Sequence, residues 1–257
     1  MPPETLPEHE LATGARPAGA TTEASAAQNI QQMFDTIAPT YDRANHLLSA
    51  GIDRLWWNRT ARTLRPILAR PEAVVLDLCC GTGDMTLALD KHRPPAPAAP
   101  ILAADFSHAM LTLGGQKFAG KNILPIEADA LHLPIASNSI DLVTAAFGFR
   151  NLASYPDGLA ELHRILRPGG QIAILECNQP EGLTGAFYSL YFRKILPTLG
   201  GLISRNRSAY TYLPDSVARF PRPPRMIELI AAAGFTNPTW TPYTLGAAGL
   251  YRATKPE

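Results

Sequence analysis

Five short apolar runs between residues 73 and 177, separated by longer polar or helix-like segments, most constrain the fold of this chain. The runs are AVVLDL (73–78), PILAADF (100–106), ILPIEAD (123–129), IDLVTAAF (140–147) and QIAILEC (171–177). Buried strands that alternate with helices are typical of a parallel sheet covered by helices on both faces. The sequence therefore predicts a doubly wound, mostly parallel α/β fold, with a turn at RPGG (167–170) before the fifth strand.

The rest of the chain divides around this α/β unit. Residues 1–27 are rich in Pro, Ala and Thr and lack aromatic side chains, which predicts a disordered tail. A single domain is expected over residues 28–257. Its parts are N-terminal cap helices (28–70), the α/β core (71–178), a helical lid (179–222) and a C-terminal helix with a hairpin (223–257).

Composition excludes several classes of function. A formal net charge of +1 gives no electrostatic case for a nucleic-acid partner. Three cysteines, two of them adjacent, form neither a disulfide framework nor a zinc-ligand pattern. The sequence therefore predicts no metal site, and it predicts a reducing compartment. Without a secretory signal or an apolar run of about 18 residues, a cytoplasmic protein is expected.

The first strand ends in the sequence LDLCCGTGD, which is a candidate ligand loop. Gly81 and Gly83 allow a tight turn and a close approach of the backbone to a ligand. The motif lacks the third glycine of a dinucleotide fold and the lysine of a P-loop, so it does not indicate a pyrophosphate. Asp77, at the tip of the strand, suits a cationic group such as the amino group of a methionine moiety.

Two more acidic residues end the next two strands. Asp105 can accept hydrogen bonds from both hydroxyls of a ribose, as an acid at this position does in dinucleotide folds. Asp129, followed by the apolar Leu131, suits the exocyclic amine and the flat face of adenine. Ligands of doubly wound sheets bind at the carboxyl ends of the strands, so these acids are expected at one site.

The motifs VLDLCCGTGD, AADFSHAML, IEADALHLP and LRPGGQIAILE together resemble the class I S-adenosylmethionine-dependent methyltransferases. The resemblance implies a seven-stranded, Rossmann-like sheet and S-adenosylmethionine as cofactor. It also implies the cofactor-binding residues, which are Asp77, Gly81, Thr82 and Gly83 for the methionine part, Asp105 for the ribose, Asp129 with Ala130 for the adenine, and in addition Phe106 and Ala146. Cys79 and Cys80 stand where that superfamily usually has small residues, and we interpret them as packing groups, with a catalytic thiol as the alternative.

Further segments narrow the resemblance. MFDTIAPTYDRANHLLSAGIDRLWW, FGFRNL, YLPDSVARFP and the terminal TKP are similar to the ubiquinone/menaquinone biosynthesis C-methyltransferase family. This implies methylation of a ring carbon in a reduced, polyprenylated quinol, with the naphthoquinol demethylmenaquinol favoured. Benzoquinol methylation, a soluble phenol or sterol acceptor, and a non-catalytic cofactor-binding scaffold in a quinone-synthesis assembly remain alternatives.

The family resemblance also implies the catalytic residues. Arg150 would stabilise a developing phenolate or orient a water, Asn151 would position the ring, and Tyr41 belongs to the helices that close over the cofactor. His46 is a rival base. Relatives often carry a serine where this chain has Ala146, so a side-chain contact to the cofactor is lost there and a backbone contact is expected.

The acceptor would be a membrane lipid, and one segment fits that expectation. Residues 186–203 are aromatic and apolar, with Arg193 and Lys194 among them. They could wall a prenyl channel or rest on a bilayer, which predicts peripheral contact with the inner face of the membrane. The oligomeric state, including a homodimer, stays open.

Overall fold

The computed structural model describes residues 13–17, 19–49, 51–95, 97–180 and 207–257. The helices in that part of the chain are α1 (Glu23–Leu48), α2 (Ile52–Thr63), α3 (Arg65–Leu68), α4 (Asp84–Asp90), α5 (His108–Phe118), α6 (Tyr155–Ile165), α7 (Arg207–Arg219) and α8 (Pro223–Ala232). The strands are β1 (Val75–Leu78), β2 (Ile101–Asp105), β3 (Ile123–Glu127), β4 (Ile140–Ala146), β5 (Leu166–Cys177), β6 (Thr236–Tyr243) and β7 (Ala248–Thr254). Short 3-10 turns span Phe149–Asn151 and Thr244–Gly246.

The strands form one sheet in the order β3-β2-β1-β4-β5-β7-β6. Strands β1 to β5 pair in parallel, and β7 pairs antiparallel with both β5 and β6. The predicted doubly wound, mostly parallel sheet of seven strands is therefore confirmed. Strand order reverses between β1 and β4, which is where such folds bind their ligands.

Each face of the sheet carries its own apolar core. Leu76 and Leu78 of β1 pack on one face with α6 and α8, whereas Val75 packs on the other face with α2 to α5. This division follows from the pleat, because successive side chains of a strand point to opposite faces. All four β1 side chains, Asp77 included, are buried, as expected of a central strand that helices cover on both faces.

The amino-terminal boundary differs from the prediction. Helix α1 begins at Glu23, inside the segment expected to be a disordered tail, and runs on through Pro39. Further upstream, the Ala15 amide donates to the carbonyl of Leu152 at 2.8 Å, and the carbonyl of Thr13 accepts from the Tyr155 amide at 2.6 Å. Backbone pairing with the core thus orders residues whose composition is that of a tail. Residues 1–12 lie outside the described part.

The predicted turn at RPGG is instead part of β5. Gly169 has a φ of +75°, as a turn residue would, and the pairing of β4 with β5 shifts register after Ile140. The Gly169 amide donates to the carbonyl of Lys255 at 3.0 Å, and the Lys255 amide donates to that of Gly170 at 2.8 Å. These tertiary hydrogen bonds convert a local turn into a bulge that extends the strand.

Part of the predicted lid (179–222), including the apolar segment 186–203, lies outside the described residues. Helix α7 ends this region, and α8, β6 and β7 follow it, with β6 and β7 forming an antiparallel hairpin. Among the residues that the structure describes, no helix combines the length and the apolarity that a bilayer-crossing segment needs.

Candidate active site

A cleft of about 410 Å³ opens at the carboxyl ends of β1, β2 and β4, roofed by α1. It brings together all but one of the residues predicted to bind cofactor or acceptor. These are Tyr41, Asp77, Gly81, Thr82, Asp105, Phe106, Asp129, Ala130, Ala146, Arg150 and Asn151. Gly83 is the exception. It caps α4 with a φ of +88°, and a Cβ there would lie 2.3 Å from the ring of Phe118.

Asp77 lies near the end of β1, just before the glycine loop. Its carboxylate is fully buried and accepts hydrogen bonds from the hydroxyls of Thr86 at 2.6 Å and Thr144 at 2.7 Å. Burial raises the pKa of Asp77 to about 6, although the two threonine hydrogen bonds oppose that rise. The carboxylate thus ties β1 to α4 and β4, and its buried charge favours a cation above it.

Asp105 links the tip of β2 to the same loop. One oxygen accepts from the Gly81 amide at 2.8 Å and the other from the Ser107 amide at 2.9 Å. Burial raises the pKa of Asp105 to about 6, against the lowering effect of these amides. Each carboxylate oxygen can accept a second hydrogen bond, so the group retains capacity for a diol.

The third acid, Asp129, is half-exposed at the rim. Its Oδ1 accepts from the Leu131 amide at 2.9 Å, which fixes the loop after β3. Ala130 is buried and Leu131 lines the cleft, so a flat apolar wall stands beside the carboxylate. Phe106 extends this wall toward Phe34, with ring centroids 6.3 Å apart.

Helix α1 closes the cleft with an apolar face. Met33, Phe34, Ile37 and Tyr41 all line it, at the spacing of one helical face. The helix is fixed to the β2 end by two hydrogen bonds, from Gln31 Nε2 to the carbonyl of Phe106 at 2.6 Å and from Ser107 Oγ to the Asp35 carboxylate at 2.6 Å.

A charged network holds α1 to the glycine loop. Lys117 Nζ lies 2.6 Å from the Asp42 carboxylate and 3.1 Å from that of Asp84. The Thr82 hydroxyl donates to Asp42 at 2.5 Å and accepts from Lys117 at 3.0 Å. Neither Lys117 nor Asp84 was predicted, because a contact between residues so distant in sequence has no local signature.

The rival base, His46, belongs to this network and not to the cleft lining. Its Nδ1 lies 2.8 Å from the buried carboxylate of Asp53, and its Nε2 lies 4.0 Å from that of Asp84. Both ring nitrogens of His46 thus face carboxylates, and His46 is not among the residues that line the cleft.

Arg150 is buried at the opposite end of the cleft, in a 3-10 turn after β4. Its Nη1 donates to Glu176 Oε2 at 2.9 Å and to the carbonyl of Phe147, and its amide donates to Glu176 Oε1 at 3.1 Å. Burial alone would lower the pKa of the guanidinium, but the attraction of Glu176 raises it overall. Arg150 Nε is buried without a hydrogen-bond partner among the described residues.

The sequence interpretation missed Glu176, the buried partner of Arg150. It is fully buried at the end of β5, and it follows an apolar run just as Asp77 and Asp105 do. The same strand-tip rule that identified those acids could have found it. Asn151, beside Arg150, accepts from the hydroxyl of Tyr212 at 3.0 Å. Tyr212 opens the YLPDSVARFP segment of the predicted lid, which carried the family resemblance, but it was not predicted as a site residue.

The floor of the cleft has an unusual backbone. Cys79, at the end of β1, has a φ of +52°, and Phe147, at the end of β4, has a φ of +60°. A Cβ on Gly148 would lie 2.3 Å from that of Cys79, so only glycine fits there. Left-handed residues of this kind cost free energy and cluster at functional sites.

The cysteines are free thiols in apolar surroundings. All three cysteines line the cleft, and Cys80 also packs in the apolar core. Burial raises the pKa of Cys177 to about 12 and that of Cys79 well above its ordinary value. They are therefore protonated near neutral pH and poorly nucleophilic.

Comparison with known proteins identifies the family. Residues 22–255 match the model of the ubiE/COQ5 methyltransferase family. The chain is 46% identical to the demethylmenaquinone methyltransferase of Deinococcus radiodurans, covering 89% of this chain and 93% of that protein. It is 45% identical to the enzyme of the same name from Thermus thermophilus, covering 87% and 100% respectively. It is 42% identical to the ubiquinone/menaquinone biosynthesis C-methyltransferase of Geotalea daltonii, covering 89% and 97%.

Solved structures agree on the fold. An S-adenosylmethionine-dependent methyltransferase from Thermotoga maritima superposes with a TM-score of 0.61 at 17% identity, covering 87% of this chain and 98% of that one. The [4+2]-cyclase SpnF superposes with a TM-score of 0.63 at 16% identity, covering 95% and 99%. A cyclase among the neighbours shows that this fold alone does not fix the reaction. Sequence similarity identifies the family, and the chain belongs to the ubiE/COQ5 methyltransferase family.

Proposed function

We propose that this protein transfers a methyl group from S-adenosylmethionine to a ring carbon of a reduced, polyprenylated quinol, with demethylmenaquinol as the preferred acceptor. Relatives that bear the name demethylmenaquinone methyltransferase support the naphthoquinol. The observation that carries the proposal is the buried Arg150–Glu176 pair, because its Arg150 lines the same cleft as the glycine loop.

The described residues fit the cofactor. Gly81 and Gly83, whose backbone is left-handed, allow a ligand to approach the loop. The buried carboxylate of Asp77, near the end of β1, favours a positive charge beside it. The spare acceptor capacity of Asp105 suits the ribose diol, and the wall of Ala130, Leu131 and Phe106 suits adenine. When bound, the cofactor supplies an electrophilic methyl carbon on a sulfonium.

The chain's own residues would prepare the acceptor. A ring carbon becomes nucleophilic when a neighbouring hydroxyl of the quinol loses its proton to water, and the resulting oxyanion needs a cation nearby. As the methyl carbon bonds to the ring its bond to sulfur breaks, and the ring carbon then loses its own hydrogen as a proton to water. Arg150 stays protonated because Glu176 compensates its charge, so it acts electrostatically and not as a base. Asn151, oriented by Tyr212, would hold the ring by hydrogen bonding.

The shape and chemistry of the cleft favour a lipid-like acceptor. Trp56, Trp57 and Phe147 join the α1 face in lining it, and few polar groups interrupt this wall. A polyprenyl quinol is a membrane component, so the protein would act in peripheral contact with the inner face of the bilayer. A benzoquinol acceptor is the second candidate, because the Geotalea relative is named for both pathways.

Purified protein should methylate chemically reduced demethylmenaquinone with a short prenyl chain, and product mass should rise by one methylene unit. The oxidised quinone is the matched control and should not react, because it has no ring hydroxyl to ionise. Demethylated benzoquinol, offered in parallel, decides between the two acceptors. Cofactor binding without turnover on any quinol would contradict the proposal and favour a scaffold.

A further inference from the structure

We propose that one surface beside the cleft docks the protein on an anionic lipid bilayer. This docking face consists of Leu55, Leu245, Arg54, Arg59 and Arg62. The inference rests on the proposed function, since it says how the enzyme reaches an acceptor held in a membrane.

Two exposed leucines give the docking face its apolar part. Leu55 on α2 is 68% exposed and Leu245 in the turn between β6 and β7 is 80% exposed, although both are large apolar side chains. Leu245 also adopts a φ of +55°, and its neighbour Thr244 a φ of +45°. A left-handed backbone costs free energy for such residues. At Leu245 this cost adds to that of exposing a large apolar side chain to water.

The two leucines belong to one continuous surface. Trp56, next to Leu55, donates from Nε1 to the hydroxyl of Thr244, next to Leu245, at 2.8 Å. One helical turn further along, the guanidinium of Arg59 lies 4.2 Å from the ring centroid of Tyr243. Helix α2 and the β6–β7 turn are thereby fixed side by side.

Arginines surround the leucines without local compensation. Arg54, Arg59 and Arg62 are exposed, and none forms an ion pair with any residue that the structure describes. The acid of the same helix, Asp53, is buried and paired with His46. In a chain of net charge +1, this is a local concentration of positive charge.

A bilayer satisfies both parts of the face. Leucines that enter the acyl boundary leave water, while arginines beside them bind anionic head groups. A nucleic acid would satisfy the arginines but would leave the leucines exposed. A half-buried tryptophan between the two leucines also suits a membrane interface.

The docking face adjoins the opening of the cleft. Ile52 and Trp56 of α2, together with Thr244, line the cleft as well as flanking the leucines. A prenyl chain that leaves the cleft at this edge would pass directly into the lipid on which the protein rests. The position of the face thus couples membrane binding to delivery of the acceptor.

Co-sedimentation of the full chain with vesicles tests the proposal. Vesicles made of equal parts phosphatidylglycerol and phosphatidylcholine should bind the protein, and pure phosphatidylcholine vesicles should bind it at least about tenfold more weakly. The double variant Leu55→Ser/Leu245→Ser should lose about tenfold in binding, and Arg54→Gln/Arg62→Gln a similar factor. Leu124→Ser, which alters a 51% exposed leucine on β3 at the far edge of the sheet, is the matched control and should bind as wild type.

Methylation rates on soluble and on membrane-embedded quinol distinguish failure of the docking face from failure of the proposed function. On a short-chain quinol in solution, the docking-face variants should keep kcat/KM within about twofold, and on quinol embedded in anionic vesicles they should lose about as much as they lose in binding. If wild-type protein methylates soluble quinol but the variants still bind vesicles normally, the docking face is wrong and the function stands. If the variants instead convert a dimer into a monomer and leave vesicle binding unchanged, the face is a contact between copies and the proposal is overturned.

Discussion

Arg150 and Glu176 form a buried ion pair at the end of the sheet, with Nη1 2.9 Å from Oε2 and the carboxylate also accepting from the Arg150 amide at 3.1 Å. The carboxylate therefore fixes both the side chain and the turn that carries it. A guanidinium oriented in this way, inside an apolar cleft, is a preorganised site for a developing negative charge.

Replacing Glu176 should be far more costly than replacing a surface acid. Glu176→Gln leaves the Arg150 charge buried without its partner, which should lower the free energy of unfolding by about 3–5 kcal/mol. The matched control is Glu228→Gln, which breaks the exposed pair with Arg225 and should cost at most about 1 kcal/mol. Urea denaturation of both variants gives the comparison, and similar losses would show that the buried pair is not the main constraint.

Arg150 itself should matter for turnover and not for cofactor binding. Arg150→Ala should lower kcat by about 100-fold or more, because an oxyanion loses its compensating charge, while the cofactor Kd changes less than about threefold. Arg150→Lys keeps the charge but loses the guanidinium that donates to both Glu176 and the carbonyl of Phe147, and should recover part of kcat. Calorimetry with the cofactor product and steady-state kinetics measure the two quantities. An equal loss of both would remove Arg150 from the acceptor site.

Cofactor affinity should depend on pH through Asp105. Its pKa is about 6, so the carboxyl is neutral below that pH and then accepts hydrogen bonds poorly. Affinity for S-adenosylhomocysteine should weaken by about tenfold from pH 7 to pH 5. Asp105→Asn should bind weakly at both values with a flatter profile, whereas a profile as steep as that of wild type would assign the titration to another group.

The stability of the unliganded protein should change with pH in the direction opposite to cofactor affinity, because Asp105 favours folding most when it is protonated. A carboxyl whose pKa is raised by folding binds its proton more tightly in the folded state, so its contribution to stability is largest at low pH and is lost as pH rises from 3.8 through about 6. Asp77 acts in the same window and direction. Thermal unfolding with and without ligand separates the two trends.

Two adjacent glycines of α5 should respond differently to alanine. A Cβ on Gly114 would lie 3.3 Å from the Thr82 carbonyl carbon and 3.4 Å from the Gly81 oxygen, whereas one on Gly115 meets nothing within 4 Å. Gly115→Ala should raise the free energy of unfolding by roughly 0.5–1 kcal/mol, the usual gain inside a helix. Gly114→Ala should displace the glycine loop and weaken cofactor binding. Identical behaviour of the two variants in calorimetry and denaturation would contradict the packing.

Lys117 should hold α1 against the glycine loop. Lys117→Met removes the cation between Asp42 and Asp84 and should weaken cofactor binding by about tenfold, mainly by faster dissociation. Lys121→Met is the control, because Lys121 pairs with Asp90 away from the cleft. Stopped-flow dissociation rates decide, and Lys117→Arg should restore slow dissociation. If it does not, the side chain acts by packing alone.

Much of the core could be predicted because its signals are local. The family, the methyltransferase activity, the cofactor and the α/β sheet inferred from the sequence are confirmed by the relatives and the topology. Apolar runs mark strands whatever surrounds them, and acids that end parallel strands must meet at one edge. Asp77, Asp105 and Asp129 do so, while their individual roles remain predictions.

The remainder depends on contacts between distant residues. RPGG has the chemistry of a turn, and only pairing with Lys255 makes it part of β5. The network around Lys117 joins α1, the glycine loop and α5, and no single segment encodes it. The order of residues 13–17 comes from backbone hydrogen bonds, which composition does not report.

Those hydrogen bonds connect an outlying segment to the acceptor end of the cleft. Gly14 passes so close to Ala153 that an added Cβ would lie 1.9 Å from its oxygen, and Arg219 donates to the carbonyl of Arg16 at 2.6 Å. Residues 13–16 therefore act as a strap across the segment that follows Asn151 and the helix that carries Tyr212. The shape of the acceptor end therefore depends on a segment upstream of α1 that forms neither helix nor strand, and removing it should change the KM for the acceptor more than the Kd for the cofactor.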